Sequence, residues 1–443
     1  MIDFFKKSNH ILGINARNLT YLRPSNSKRA IRIADNKLLA KKILKKNGLP
    51  VLQNHAVIKE IEELKNFDWS SLPNSFTLKP NKGLGGEGIL IVYGKKKKYP
   101  YPWVKADKKI MEVKDIQNHV LNILEGTYSR TSLPDIAFFE ERIKLLKLFK
   151  PYVYRGIPDI RIIIYNSVPI MAEIRLPTKE SGGKSNLHLG GIGVGIDMGT
   201  GVTTTAIQKD KIIEYVPGTR LLLRGIQIPY WKESLRAAIQ AQQITKIGFL
   251  GIDIAIDREK GPVILELNAR PGLSIQIANL TPLNERLLRV KGLKIKTVAK
   301  GVQIAQDLFG GEVEEGLEEI SGRKVIGINE PIEILDKEKN KYPTMAKVDT
   351  GAYRTTICEN LANQLGINKM IGSKKVKGAL GSDERSIIDL SFYLDKRLVI
   401  SEAFVADRSE LKYDIIVGRR DLKRFLVDPA KNVFMRSKQI PKE

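Results

Sequence analysis

Apolar residues recur at helical spacing in several parts of this chain. Between Ser27 and Asn47 they return every three or four positions, Gly48 follows, and Pro50 lies just beyond. This spacing predicts one amphipathic helix with a stop signal at its end. Residues 231–245 predict another helix, and residues 283–309 predict one or two more.

Other segments have the composition and alternation of β-strands. Residues 75–80 and 88–94 flank a glycine-rich loop and predict a β-hairpin. Residues 159–166 and 168–177 predict a second hairpin with a tight turn. Residues 249–272 predict a third hairpin, whose turn is charged and whose strands carry carboxylates at apolar, buried-looking places.

An acidic, glycine-bearing stretch at 310–324 interrupts a chain that is otherwise basic, and it predicts a domain boundary. The short β-branched stretches beyond it are spaced as in a small all-β unit. The predicted domains are a helical segment with the start of the main domain at 1–74, a mixed core at 75–310, a linker at 311–324 and an all-β unit at 325–443.

Composition narrows the class of protein. With 443 residues, 42% of them hydrophobic, the chain is globular. Its single cysteine, Cys358, fits a reducing compartment, and four scattered histidines argue against a zinc site. The absence of an 18-residue apolar run and of a signal peptide predicts a cytoplasmic protein that is not membrane-bound.

The formal net charge of +25 would suit an anionic partner such as nucleic acid. Much of this charge is lysine scattered through predicted helices, which favours a basic solvated surface. No helix-turn-helix, zinc finger or aromatic RNA-binding signature occurs in the sequence. Nucleic-acid binding is therefore the less favoured interpretation.

The first candidate for chemistry is the glycine loop in LKPNKGLGGEGILIVY. Gly83, Gly85 and Gly88 have the G-x-G-x-x-G spacing, but a strand follows where a dinucleotide fingerprint needs a helix. No Gly-Lys-Ser/Thr ends the loop, so a P-loop is also excluded. Two interpretations stay open: an ordinary hairpin turn, or backbone N–H groups that close over phosphates with Lys79 at the base of the loop.

The second candidate is a group of carboxylates in the hairpin at 249–272. Glu266 and Asn268 are two residues apart, so their side chains share one face of a strand. Asp253, on the preceding strand, can lie opposite them. Carboxylates on a buried face need a cation, and hard oxygen ligands together with nucleotide phosphates are typical of magnesium.

The motifs LKPNKGLGGEGI, FFEERI, DIRIIIYN, GKSNLHLGG, GIDI and LELNARPGL, in that order, resemble the ATP-grasp carboxylate-amine ligases, particularly the alpha-L-glutamate ligase-like branch. The resemblance covers about residues 10–310 and implies an α+β ATP-grasp fold. It also implies ATP as cosubstrate, with magnesium, or manganese as the alternative metal. The reaction would join a carboxylate to an amine through an acyl-phosphate.

The resemblance assigns roles to individual residues. It implies that the nucleotide phosphates are held by Lys37, near the middle of the first predicted helix, by Lys79, and by Lys82, Gly83, Gly85, Gly86 and Gly88. Glu140 and Glu141 match the adenine and ribose hinge, where either glutamate could be the contact. The metal ligands match Asp253, Glu266 and Asn268, and the residues that steady the transferred phosphate match Arg161, Arg175 and Asn186.

A third candidate lies in the C-terminal unit, where residues 347–352 read KVDTGA. Together with IIVGRRDL in 410–422, this motif resembles the small retropepsin-like domains described as ATP-dependent proteases, over about residues 325–437. Asp349 would be the catalytic aspartate. Acid proteolysis needs two carboxylates, so one DTG implies a homodimer, whereas Ala352 departs from the hydroxyl residue of the viral enzymes.

Three hypotheses follow. The favoured one is an ATP-dependent ligase that acts on an amino acid or acidic peptide, with a retropepsin-like unit that cleaves or binds peptide. The second is an ATP-binding regulatory protein without turnover. The third is a nucleic-acid or ribosome-associated protein, whose affinity would fall steeply with salt.

Overall fold

The computed structural model describes residues 11–83, 85–95, 103–105, 109–129, 132–209, 211–311, 323–378, 381–429 and 431. The chain divides into two compact units, Met1–Val313 and Glu314–Glu443. The predicted linker at 311–324 lies almost wholly outside the described residues. Within those residues, no helix combines the length and the apolar character that a membrane span requires.

The first unit begins with a helical segment that contains a π-helical stretch. α-Helical turns at Ile14–Ala16 and Arg23–Ser25 flank π-helix at Arg17–Leu22. The helices that follow are α1 (Lys28–Ala34), α2 (Lys37–Lys46), α3 (Ile61–Lys65), α4 (Val113–Leu124), α5 (Trp231–Thr245), α6 (Ile275–Ala278), α7 (Leu283–Val290) and α8 (Val298–Phe309). Short 3₁₀ turns lie at Trp69–Ser71, Lys147–Tyr152 and Leu187–Leu189.

The prediction of one helix from Ser27 to Asn47 was wrong, because the helix is interrupted between α1 and α2. Asn36 has an extended backbone, and its side chain accepts a hydrogen bond from the amide of Leu39 at 2.8 Å. An asparagine that caps in this way starts a new helix. Lys37 is therefore the first residue of α2, and not a residue near the middle of a long helix.

The first sheet contains the predicted glycine-loop hairpin. Its strands are β1 (Asn54–Ile58), β2 (Phe76–Pro80), β3 (Leu90–Lys95), β4 (Trp103–Lys105), β5 (Ile110–Met111) and β6 (Ala137–Glu141), in the order β1-β6-β2-β3-β4-β5. β2 and β3 pair antiparallel with Phe76 opposite Val92, which confirms the hairpin. Phe76 and Phe139 meet edge to face at 5.3 Å between ring centroids, in the core that the sheet forms with α3 and α4.

The second sheet carries the other two predicted hairpins. Its strands are β7 (Asp159–Tyr165), β8 (Val168–Leu176), β9 (Ile192–Ile196), β10 (Thr203–Gln208), β11 (Lys211–Ile213), β12 (Phe249–Asp257) and β13 (Gly261–Asn268), in the order β11-β10-β9-β8-β7-β12-β13. Asn166 and Ser167, with φ of 51° and 58°, make the tight turn between β7 and β8. Both hairpin predictions are confirmed.

The two faces of this second sheet differ in chemistry. Even-numbered isoleucines of β7, such as Ile160 and Ile162, are buried, and α5, α7 and α8 pack against β7 and β8. The opposite face carries charged side chains at one end of these strands, namely Asp159 and Arg161 of β7 and Glu173 and Arg175 of β8. The period of two along a strand separates these sets, so the helices cover the apolar face and leave the charged one to be covered by other parts of the unit.

The second unit is mostly β-structure. Its strands are β14 (Lys324–Ile326), β15 (Asn329–Leu335), β16 (Lys341–Asp349), β17 (Thr356–Cys358), β18 (Met370–Gly378), β19 (Gly381–Leu394), β20 (Arg397–Ala406), β21 (Ile415–Gly418) and β22 (Phe425–Val427). The order β15-β16-β21-β17-β20-β19 closes into a ring because β15 also pairs with β19. The unit is therefore the all-β unit that the sequence predicts, with one short helix, α9 (Glu359–Gln364), beside its strands.

Candidate functional site

A row of charged side chains crosses four adjacent strands of the second sheet. Arg161 on β7 lies opposite Glu173 on β8 and opposite Asp253 on β12. Asp253 in turn lies opposite Glu266 on β13. Residues directly opposite one another point to the same face, so these four side chains share the charged face.

Two arginines converge on the carboxylate of Asp253. Arg161 donates from Nε and Nη2 to its two oxygens at 2.8 and 2.7 Å, and Arg175 donates from Nη2 at 2.9 Å. Arg175 also donates from Nε to Asp159 at 2.6 Å. This is a fork of guanidinium groups held in fixed positions, which is the geometry that binds planar anions well.

Burial and charge compete in setting the protonation of these carboxyls. Burial raises the pKa of Asp253, but the guanidinium groups of Arg161 and Arg175 outweigh it and bring the pKa to about 2. Burial dominates for Asp159, whose pKa rises to about 6, and for Glu173, whose pKa rises to about 7. Asp253 is therefore ionised at neutral pH, as a metal ligand must be.

Glu266 and Asn268 complete the predicted ligand set. The Nδ2 atom of Asn268 lies 3.3 Å from Oδ2 of Asp253, and the ammonium of Lys37 lies 3.5 Å from Oε1 of Glu266. Two carboxylates and an amide oxygen on one face are hard ligands of the kind that magnesium prefers. The three predicted ligands therefore lie close together on one face, although no three His, Cys, Asp or Glu side chains cluster as a metal site anywhere in the described part of the chain.

Lys37 links this ligand face to the glycine loop. Its ammonium donates to the carbonyl of Gly83 at 2.7 Å. The amide of Lys82 donates to Oδ2 of Asp135 at 2.7 Å, which ties down the start of the loop. On the far side, Nδ2 of Asn186 comes within 3.7 Å of where a Cβ on Gly85 would lie. The structure therefore brings Lys37, the loop and Asn186 together.

The loop depends on a left-handed backbone at its end. Gly88 has φ of +68°, and a Cβ there would lie 2.6 Å from the ring of Tyr128. Only glycine fits both the backbone conformation and the space. Gly85 and Gly86 also have positive φ, at 62° and 77°. The glycines therefore let the chain turn tightly between β2 and β3.

Behind the loop, a buried glutamate holds two lysines. Glu140 on β6 is 3% exposed, pairs with Lys79 of β2, and accepts from Nζ of Lys41 at 2.5 Å. Burial would raise the pKa of Glu140, but the two ammonium groups lower it below its ordinary value. Lys79 is thus held at the base of the glycine loop by a carboxylate that stays ionised.

The two hinge candidates differ in their surroundings. Glu140 is buried within its ion pairs, whereas Glu141 is partly exposed and pairs with Lys260. The backbone N–H of Glu141 already donates to the carbonyl of Gln53 at 2.8 Å. These contacts give Glu140 a part in fixing Lys79, and leave Glu141 closer to solvent.

Three side chains at this site were not singled out from the sequence. Lys41 lies four residues after Lys37, and a helix places residues at that spacing on one face, so helical spacing was the available signal. Asp159 and Glu173 are each two residues from a predicted arginine on the same strand. The period of two predicted their common face, but their burial needed the tertiary structure.

Asp349 belongs to the second unit, whereas the other candidate residues belong to the first. It ends β16 opposite Gly418 of β21, and its Oδ1 accepts hydrogen bonds from the amides of Gly351 and Ala352 at 2.9 and 3.2 Å. β21 lies between β16 and β17, parallel to the first and antiparallel to the second. The DTG turn connects β16 to β17, and β21 is hydrogen-bonded between these two strands.

Comparison with known proteins identifies the family. The family model described as sugar-transfer associated ATP-grasp matches residues 16–292, which is more than half of the chain. The chain belongs to this ATP-grasp family. A search of curated protein sequences finds no match.

Solved structures similar to this ATP-grasp chain include two ligases and a protease. The ATP-grasp ligase PsnB complexed with minimal precursor is 17% identical, with a TM-score of 0.31, over 60% of this chain and 62% of that one. D-alanine–D-alanine ligase from Bacillus anthracis complexed with ATP is 16% identical, with a TM-score of 0.32, over 65% and 70%. Simian foamy virus (mac) protease is 21% identical, with a TM-score of 0.17, over 21% and 90%.

Proposed function

We propose that this chain is an ATP- and magnesium-dependent ligase of the alpha-L-glutamate ligase-like kind, which joins a carboxylate to an amine. The observation that carries the proposal is the convergence of Arg161 and Arg175 on Asp253, beside Glu266 and Asn268 on one sheet face. The glycine loop reaches the same face through Lys37. Family membership supports a nucleotide in this place.

The residues divide into binding groups with separate tasks. Lys37, Lys79 and the N–H groups of the loop would hold the phosphates of ATP. Asp253, Glu266 and Asn268 would hold the metal, which when bound neutralises charge on the transferred phosphoryl group. Asp253 and Asp159 hold Arg161 and Arg175 in fixed positions, so the N–H donors that these carboxylates leave over would stabilise developing negative charge without reorganising.

The proposed reaction has two displacements. A carboxylate oxygen of the acyl donor bonds to the terminal phosphorus of ATP, and the bond to the bridging oxygen breaks so that ADP leaves with the electron pair. The amine nitrogen then bonds to the acyl carbon, the C–O bond breaks, and phosphate leaves while the nitrogen loses a proton. No nucleophile from the protein is required, and positioning together with charge stabilisation supplies the catalysis.

A screen for ADP release tests this proposal. The purified chain would be given ATP, magnesium, single amino acids and short glutamate peptides, and mass spectrometry would seek the condensation product. Once a substrate pair is found, Glu266→Gln and Lys79→Met should each lower turnover by at least ~10²-fold. Glu62→Gln, at an exposed surface position, is the matched control.

Nucleotide binding without turnover for any pair would favour the regulatory alternative. Full turnover in both Glu266→Gln and Lys79→Met would refute the assignment of the site.

A second activity is proposed for the second unit, which would act as a retropepsin-like, peptide-cleaving or peptide-binding homodimer. The support is the DTG turn at Asp349, held by the inserted strand β21. Peptidase activity that disappears in Asp349→Asn, with ADP release unchanged, would support this. Cleavage that persists in the variant would exclude Asp349 as its catalyst.

A further inference from the structure

Two arginine side chains flank the turn that follows the predicted metal-ligand strand. Arg17 donates from Nη1 to the carbonyl of Pro271 at 2.6 Å, and Arg270 is the residue before that proline. Arg270 donates from Nη2 to both carboxylate oxygens of Asp35, at 2.6 Å each. The turn begins directly after Asn268, the last residue of β13. Both arginines are therefore neighbours of the proposed ligand face.

The charge of Arg17 has no carboxylate partner among the described residues. Its remaining hydrogen bonds, from Nε and Nη2, go to the neutral Oδ1 of Asn18 at 3.1 and 2.9 Å. Burial and the nearby guanidinium of Arg270 both lower the pKa of Arg17. Two positive charges therefore flank the same turn at Pro271, and Asp35 is the one carboxylate partner of the two arginines in the described chain. An anion placed between them would relieve that repulsion.

The helix that carries Arg17 is anchored so that this side chain stays at the turn. Arg17 opens the π-helical stretch, whose last residues, Tyr21 and Leu22, are buried. The hydroxyl of Tyr21 donates to Oδ1 of Asn284 at 2.6 Å. π-Helical turns are rare and are found frequently at functional sites. The turn that follows β13 leaves space at Gly272, where a Cβ would meet no atom within 4 Å.

We infer that Arg17 and Arg270 form a second anion subsite for the acyl donor. The inference rests on the proposed function. The donor would carry two acidic groups: one carboxylate activated at the fork of Arg161 and Arg175, and a further carboxylate or phosphate held by the two guanidinium groups beside Pro271. Planar, bidentate recognition of either oxyanion is what guanidinium groups supply.

Calorimetric binding of three five-atom acids tests this subsite. Valerate carries one acidic group, glutarate carries two carboxylates, and 4-phosphonobutyrate carries a carboxylate and a phosphonate. Each is titrated with and without magnesium and the non-hydrolysable nucleotide AMP-PNP. We expect the wild-type chain to bind at least one of the two diacids about tenfold more tightly than valerate, from the added charge-assisted hydrogen bonds.

Variants test whether Arg17 causes the preference for diacids over valerate. Arg17→Gln should remove it, Arg17→Lys should keep part of it because a cation remains, and Arg32→Gln should leave it unchanged. Arg32 is an exposed arginine of α1 and is the matched control. Thermal unfolding of each variant without ligand shows that the fold is retained.

The outcomes separate this inference from the proposed function. A wild-type chain without preference for either diacid overturns the subsite, and so does an Arg17→Gln variant that binds like Arg32→Gln. Tighter binding of glutarate assigns the subsite to carboxylate, and tighter binding of the phosphonate assigns it to phosphate. Failure to bind AMP-PNP refutes the proposed function by itself, because the diacid preference is also measured without nucleotide.

Discussion

Replacement of Glu173 by glutamine should change how the stability of the first unit depends on pH. The side chain is 1% exposed, and its Oε2 atom has no hydrogen-bond partner in the described structure. Burial raises the pKa of this carboxyl from its ordinary 4.5 to about 7, against the opposing effect of Arg175 and Arg161. Ionisation of Glu173 is therefore unfavourable in the folded protein.

The direction in which the free energy of unfolding changes with pH follows from the protons bound by the folded and unfolded chains. Between pH 4.5 and 7 the folded chain keeps the proton of Glu173 and the unfolded chain has lost it. The free energy of unfolding then falls by ~1.36 kcal/mol per pH unit from this group. The contribution of Glu173 to the free energy of unfolding is complete below the pKa that this carboxyl has in the unfolded chain. It is lost as the pH rises through the pKa that the carboxyl has in the folded chain. From pH 5.5 to 8 the expected loss is about 2 kcal/mol.

Urea unfolding at several pH values, without metal or nucleotide, measures this effect. The three tryptophans, Trp69, Trp103 and Trp231, all lie in the first unit, so their fluorescence reports its unfolding. Glu173→Gln should gain about 2 kcal/mol over the wild type as the pH rises from 5.5 to 8. Groups that do not interact with Glu173 titrate equally in both proteins and cancel.

The control for this experiment is Glu62→Gln, at an exposed site, which should run parallel to the wild type. Parallel curves for Glu173→Gln would refute the reasoning. They would show that Glu173 titrates normally and that its burial does not determine its protonation.

Two further substitutions test the glycine loop and the ion pairs behind it. Gly88→Ala should destabilise the first unit by at least ~2 kcal/mol and weaken AMP-PNP binding, because φ is +68° and the new Cβ would lie 2.6 Å from Tyr128. Gly48→Ala, with φ of +75° and open space, should cost only ~1 kcal/mol in the same urea assay; equal losses would contradict the steric argument. Glu140→Gln should cost ~3–5 kcal/mol, since it leaves buried Lys41 without its counter-charge; a loss below ~1 kcal/mol would show that the pair is not needed for stability.

Local sequence patterns determined most of the strands around the site. The hairpin of β12 and β13 and the shared face of Glu266 and Asn268 follow from a side-chain period of two, which depends only on backbone geometry. Asp253 lies opposite Glu266 as expected. The break before Lys37 was missed because apolar spacing continues across it, whereas the Asn36 cap that causes it depends on one local hydrogen bond.

Tertiary structure alone decided which charged groups meet. Arg161 lies 92 residues from Asp253, and Lys41 lies 99 residues from Glu140. Patterns along a strand predict which face a side chain occupies, but they do not give its burial or its partner on another strand. Burial decides whether a carboxyl such as Glu173 keeps its proton, because the cost of removing a charge from water depends on every element packed around it.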